Sequence, residues 1–402
     1  MVAAPLVKDS THRIAVLGTS VTQNPVLKSY AEKDLGMALD MVTLGGESAQ
    51  QRAALSPESY DVYDQWFHDI DLSWPTGSLQ PIDVKRIKGF KHINFDALTG
   101  FSTSKDHIWK TTSPLDRLYV GSDLSLSRKQ SQQISMMPTI FNADTLAIIN
   151  SANQPFPHIN DWQGLLDDDW QNAVIIQKDS AISLVEILLA LIQKGDLEVS
   201  DITDLTTDEI DAFISLFRAY MKRGQFLCYW EVENDLLSLM DTKKPLLCSI
   251  WWSGAMLLRA KGYDVSMFSP RSGYRGWFGG LALSRSLSDW KLDAAYDYLN
   301  WWLTGPAGAY LCRQGGYFIN TDAVKTYLQT HEYEFWIEGK SARYDIFDND
   351  GQLLYRKGNV REGGSLYDRM KSIAVWNTVM PEHNYLVRQW QNLPWPKPNG
   401  KH

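Results

Sequence analysis

Residues Leu246–Ser284, LLCSIWWSGAMLLRAKGYDVSMFSPRSGYRGWFGGLALS, decide the architecture of this 402-residue chain. Leu246 to Ile250 is a short, continuous apolar run of the kind that forms a strand buried on both faces, and it ends in Trp251, Trp252, Ser253 and Gly254. Ligands in open α/β sheets bind at those carboxyl ends. Met256 to Lys261 suits a short helix that Gly262 stops, and Val265 and Met267 then alternate with polar neighbours. Ser272 to Gly280 sets Tyr274, Arg275 and Trp277 among four glycines, a glycine-rich segment feeding a strand at Leu281 to Leu283. Flat apolar faces and one fixed fork of donors on a backbone that can approach closely describe a place for a small molecule.

Outward from there, the N-terminal part reads as βαβ. Arg13 to Leu17 is an apolar strand followed by the hydroxyl-rich turn Gly18 to Thr22, Pro25 to Leu35 is a helix stopped by Gly36, and Met37 to Leu44 returns as a strand. A helix near Ser48 to Leu55 and a strand at Tyr60 to Tyr63 extend the pattern, which predicts α/β layers on a mainly parallel sheet. A second unit begins after Met136 with strands at Pro138 to Phe141 and Thr145 to Ile149. It continues through helices near Asp161 to Leu166, Ile182 to Gln193 and Thr206 to Lys222, and strands at Ala173 to Ile176 and Phe226 to Trp230. After Gly280 the chain returns to the first unit, with helices at Ser288 to Leu303 and Gly305 to Gln314. The expected organisation is a first lobe of residues 11–142 plus 280–330, a second of 143–279, and a C-terminal extension, 331–402, lying on the lobe surfaces. Two lobes joined by two crossings close as rigid bodies over a ligand held between their strand ends.

Composition excludes several classes. Net charge is −8 with lysines and arginines dispersed, so no nucleic-acid partner is expected. The longest apolar segment, around Ile182 to Ile192, contains Glu186 and falls short of a membrane span. Cys228, Cys248 and Cys312 have no metal-ligand spacing; buried free thiols are expected, with a Cys228 to Cys248 disulfide as the alternative. The start, MVAAPLVKDS, lacks the charged end and apolar core of a leader, but Met1 before Val2, Ala3, Ala4 and Pro5 also fits a mature secreted protein carrying a start codon. The 16 tryptophans are about three times ordinary usage.

Six segments, in order, resemble a known family: KSYAEKDLGMALDMVTL, YDVYDQWFHDIDLSWPTGSLQPID, QISMMPTIFNADTLAIIN, SIWWSGAMLLRA, VSMFSPRSGYRGWFGGLAL and DAAYDYLNWWLTGPAGAYLCRQGGYFIN. They are similar to the periplasmic solute-binding proteins of ABC importers, in particular the spermidine/putrescine-binding branch, over most of residues 12 to 320. The resemblance implies a two-lobed type II periplasmic-binding-protein fold of the α/β class, a periplasmic mature form, a small organic solute and ABC permease subunits as partners, and a monomer. It also implies no cofactor, no metal and no covalent chemistry.

Carried over by position, the resemblance puts ligand contacts at Thr19 and Ser20 in the Gly18 to Thr22 turn, at Gln65 and Trp66, near Phe141 and Asn142, and at Asp179 and Ser180. Others fall at Trp252, at Tyr274, Arg275 and Trp277, and at Tyr317. Departures from the polyamine receptors matter as much. Those carry aromatics in the first turn, where this chain has Thr19 to Thr22, and carboxylates where it has Ala255 and Gly279. A buried ammonium without a carboxylate costs several kcal/mol, so a polyamine is the alternative rather than the first reading. Arg275 and the N–H groups around Gly18 to Ser20 suit a carboxylate, sulfonate or phosphonate, and Trp66, Trp252, Trp277 and Tyr274 an apolar or quaternary-ammonium end. An anionic or zwitterionic solute, such as an amino-acid derivative or betaine, is therefore expected.

Trp251 and Trp252, being adjacent at a strand end, should point to opposite faces, with Trp252 the one at the ligand. Asp179 has a second use as the cap of the helix that follows it. A carbohydrate-active hydrolase, drawing on Asp61, Asp64 and Asp69, is the competing class. Neither HExxH nor a GxSxG elbow nor a Walker loop is present.

Overall fold

A computed structural model describes residues 12–99, 113–150, 155–240 and 244–396. Eight strands form the path of one mixed sheet: β1 Arg13–Gly18, β2 Ala38–Thr43, β3 Val62–Trp66, β4 Met137–Ile149, β5 Val174–Gln177, β6 Phe226–Trp230, β7 Leu246–Ile250 and β8 Tyr274–Ser284. Their spatial order is β6-β5-β7-β4-β8-β3-β1-β2. The outer triplets are parallel within themselves, β1 with β2 and β3, and β5 with β6 and β7. The two long central strands run antiparallel to each other and to the triplets they join.

Those central strands make the molecule two-lobed. The first half of β4 pairs with β8 and with Tyr317–Phe318, while its second half pairs with β7 and with Val265–Met267. All 13 residues of β4 are buried, which is why the sequence shows no polar alternation there. The two strands expected at 138–141 and 145–149 are therefore one, because Asn142 and Asp144 find partners inside instead of breaking the run.

The glycine-rich segment after Gly273 is likewise strand and not a lead-in to one. A Cβ on Gly276 would lie 2.7 Å from the Trp376 ring, and one on Gly280 would lie 2.6 Å from Met136 Cγ. Its glycines thus serve close packing across the strand.

The first lobe has its own core, including Val16, Leu39, Val62, Phe278, Tyr298 and Trp302. The other lobe is apolar on both sides of its sheet, with Leu184, Leu188, Phe213 and Phe217 on one and Cys248, Ile250, Met256 and Trp230 on the other. Helix Thr207–Lys222 begins in a capping box of Thr206 and Glu209. All three cysteines are buried and free.

The region after residue 330 goes deeper than the lobe surfaces. Phe335, Trp336, Ile346 and Tyr355 join the core around Met256, and Trp390 and Leu386 join that around Phe213. Ile373–Trp376 adds a parallel strand beside Tyr274 to Gly276 of β8.

Candidate functional site

Where the strand ends of both lobes face each other, a cavity of about 360 Å³ opens. From the first lobe come Ser20, Val21 and Asn24 of the turn after β1, Trp66 at the end of β3, and Tyr310, Arg313 and Gln314. Ile182, Glu233, Trp251, Trp252, Ser253 and Met256 supply the other side, and Asn142, Arg275, Trp277 and Asn377 the floor of crossing strands.

Strand periodicity sorts the predicted residues. Along β8, Arg275 and Trp277 share a face and line the cavity, while Tyr274 faces away and donates its hydroxyl to Ser269 Oγ at 2.7 Å. On β3, Trp66 faces the cavity and Gln65 does not; Gln65 Nε2 donates to Gly46 O at 3.4 Å. Ser20 reaches the wall and Thr19 stays behind it. Asn142 lines the floor with its amide engaged, Nδ2 to Gly315 O at 3.0 Å. Tyr317 is fully buried outside the wall. Asp179 lies in a separate narrow crevice with Trp66, Asp69, Ser180 and His383, where it accepts from Ala181 N at 2.8 Å as a helix cap and burial pushes its carboxyl up to about 6. The structure thus gathers Ser20, Trp66, Asn142, Trp252, Arg275 and Trp277 around one cavity, and leaves Thr19, Gln65, Asp179, Tyr274 and Tyr317 outside its lining.

Trp251 and Trp252 both line the cavity, contrary to the alternation expected of them. Trp252 already begins a helix, Trp252–Ala260, so the strand rule stops one residue earlier. Trp251 meets the Trp230 ring edge-on at 4.8 Å, and Trp252 donates Nε1–H to Ala143 O at 3.0 Å.

Arg275 requires a correction. Its guanidinium is entirely buried and donates Nε to Glu186 Oε1 at 2.7 Å, Nη1 to Asn377 Oδ1 at 2.8 Å and Nη2 to Asp144 Oδ2 at 3.4 Å. Two carboxylates hold one fork, leaving it committed within the protein. The other wall arginine, Arg313, is held bidentately by Glu332, at 2.6 and 2.8 Å.

Trp277 also belongs to this network, giving Nε1–H to Asp144 Oδ2 at 2.6 Å and meeting Trp66 edge-on at 5.0 Å. Burial drives the Asp144 carboxyl up to about 6, against the pull of Arg275 and of the indole hydrogen bond.

Charged groups that the sequence reading missed are the acids. Glu233 lines the wall, accepts from Ser253 Oγ at 3.0 Å and is pushed up by burial. Asp348 and Asp350 stand at the rim on the DNDG turn, which Asn349 ties to Tyr310 O at 2.9 Å. The residues Asp348, Asn349, Asp350 and Gly351 are turn formers, but nothing in their spacing places them over the cleft. Among the described residues there is no group of three or more His, Cys, Asp or Glu side chains able to hold a metal, and no helix long and apolar enough to cross a membrane.

Residues 132–336 match the family model described as bacterial extracellular solute-binding protein. No curated protein matches the chain. Among solved structures, the spermidine/putrescine substrate-binding protein PotD of Streptococcus pneumoniae, in complex with calcium and HEPES, aligns at TM-score 0.58 and 12% identity, covering 95% of this chain and 99% of that one. A PotD lipoprotein of Treponema pallidum aligns at 0.61 and 9%, covering 94% and 97%. A binding protein of A. tumefaciens B6 in complex with glucopine aligns at 0.59 and 13%, covering 95% and 99%. At such identities the likeness is one of fold, the two-lobed periplasmic-binding-protein architecture.

Proposed function

The chain belongs to the bacterial extracellular solute-binding proteins, and on that premise we propose that it is the periplasmic receptor of an ABC importer, capturing one small zwitterionic solute, a betaine or an amino-acid derivative, in the interlobe cavity. The observation that carries this reading is the convergence of Trp66, Trp251, Trp252 and Trp277 on one cavity whose wall also holds Glu233. The partly exposed indoles of Trp66, Trp251 and Trp277 attract an ammonium by about 0.5 to 2 kcal/mol each and a half-buried carboxylate adds to that, while Trp252, 1% exposed and with two guanidiniums already on its ring, shapes the wall. A wholly anionic solute is disfavoured, because both described arginines of the wall are already engaged by carboxylates. Ser20 and the turn after β1 offer donors to the solute's carboxylate.

In this reading residues 11–142 and 280–330 close against 143–279 about β4 and β8, the segment from 331 on packing with both. Closure follows because a solute touching both walls binds the closed form more tightly. The solute leaves unchanged, handed to permease subunits by a monomeric receptor.

A polyamine is the second reading, favoured by the acids Glu233, Asp348 and Asp350 among the residues lining the cavity. A thermal-shift panel of betaines, amino acids, organic acids, sugars, putrescine and spermidine separates the two, since stabilisation follows RT ln(1 + [L]/Kd). The largest shift is expected from a compound bearing both an ammonium and a carboxylate. Preference for putrescine or spermidine would replace the first reading by the second.

A further inference from the structure

Two arginines of the C-terminal segment, Arg361 and Arg369, are 1% and 0% exposed, and neither forms an ion pair with a carboxylate among the described residues. A buried charge without a counter-ion is costly, and an apolar side chain of similar volume would fill the space at lower cost. The guanidiniums must therefore provide something that volume alone does not.

What they provide converges on one cleft residue. Arg369 Cζ stands 3.9 Å from the Trp252 ring centroid and Arg361 Cζ 4.5 Å from it, with Tyr317 at 5.3 and 4.4 Å. Arg369 donates to Ala143 O, the same carbonyl that receives the Trp252 indole N–H, and to Asn142 Oδ1 and the Tyr317 hydroxyl, each at 3.3 Å. Arg361 donates to Trp336 O at 2.9 Å and to Gly315 O at 2.6 Å. Gly315, at φ +83°, comes so near that a Cβ there would be 3.2 Å from Trp252 Cβ. The indole is thus fixed at its root by the Gly315 backbone, at its N–H by Ala143 and over its ring by cations.

We propose that Arg361 and Arg369 are positioning residues of the cleft, holding Trp252 in a single orientation in the wall from behind. The idea rests on the solute-site reading only where it concerns affinity. The fork geometry matters as much as the charge: one planar guanidinium serves acceptors on β4 and on the Tyr317 segment while lying against a ring, which a lysine ammonium does not reproduce.

The test follows indole N–H hydrogen exchange in the full chain labelled with 15N-tryptophan, the Trp252 signal being identified by its loss in Trp252→Phe. Trp230, whose indole N–H is bonded to Ser249 O at 2.9 Å in the same lobe, is the internal control. Arg369→Lys and Arg361→Lys are each expected to speed Trp252 exchange about tenfold or more while Trp230 stays within about twofold, since local opening is separable from global. Arg369→Met should do the same where it folds, and the lysine variants decide the matter where it does not. Unchanged Trp252 exchange, or Trp230 accelerating in parallel, overturns the positioning role. A loosened Trp252 with unchanged affinity for the best compound of the thermal-shift panel would leave the positioning intact and overturn the solute-site reading.

Discussion

Replacing Arg275 by methionine separates the role of this residue in the fold from a role in binding. The wild-type guanidinium is the donor shared by Glu186 and Asp144, all three side chains being fully buried. Its removal leaves two carboxyl groups in an apolar interior, where breaking a buried pair costs about 3 to 5 kcal/mol. Unfolding entropy of about 2.1 cal/mol/K per residue, over 402 residues, is about 0.8 kcal/mol/K for a chain melting as one unit, so Tm should fall by about 4–6 °C. Scanning calorimetry measures this, and Arg275→Met combined with Glu186→Leu should recover part of the loss by removing one stranded acid. Calorimetric titration with the best compound of the panel should show a smaller effect on affinity than on stability. A variant with unchanged Tm that binds no solute would refute the argument, since the guanidinium would then be free for the ligand.

Glu233→Gln keeps an acceptor for Ser253 but removes the charge, and is expected to weaken an ammonium-bearing solute about tenfold, about 1.4 kcal/mol, with Tm nearly unchanged; isothermal titration checks it. Burial raises Asp64 to about 7 and Asp144 and Asp179 to about 6, so the folded state binds more protons than the unfolded state between those values and the ordinary carboxyl range. Their penalty is full above about pH 7 and is relieved as pH falls, whereas burial holds His68 down at about 3, so an opposing penalty grows as pH drops below the ordinary histidine range. Urea midpoints should therefore rise from pH 8 to about pH 6.5, and a midpoint that falls steadily over that window would contradict the burial of these acids. Gly276→Ala forces a methyl to within 2.7 Å of the Trp376 ring and is expected to cost about 1–3 kcal/mol in urea denaturation, against a near-neutral change at Gly351, which has nothing within 4 Å, when it is replaced by Asn, a residue tolerant of positive φ.

The sequence made the strand ends legible because apolar runs and their aromatic stops are local signals. Residues 246–250 and 265–267 lie in the strands their patterns predict. What it hid is the partner of each polar group. Arg275 stands 131 residues from Asp144 and 89 from Glu186, and only the pairing of β4 with β8 brings Asp144 beside it. Read as a glycine-rich segment feeding a strand, Tyr274, Arg275 and Trp277 looked equally available; as part of the strand they alternate, which removes Tyr274. Glu233 and Asn377 carry no motif, and their place in the wall comes wholly from tertiary packing.

The strand Ile373–Trp376 has a consequence for how the molecule is made. It seals the flank of β8 at Tyr274–Gly276, next to the crossing between lobes. During vectorial synthesis that flank stays bare until residues 373–376 have emerged, long after β8 itself, so a nascent chain keeps an open edge beside the crossing until that strand docks.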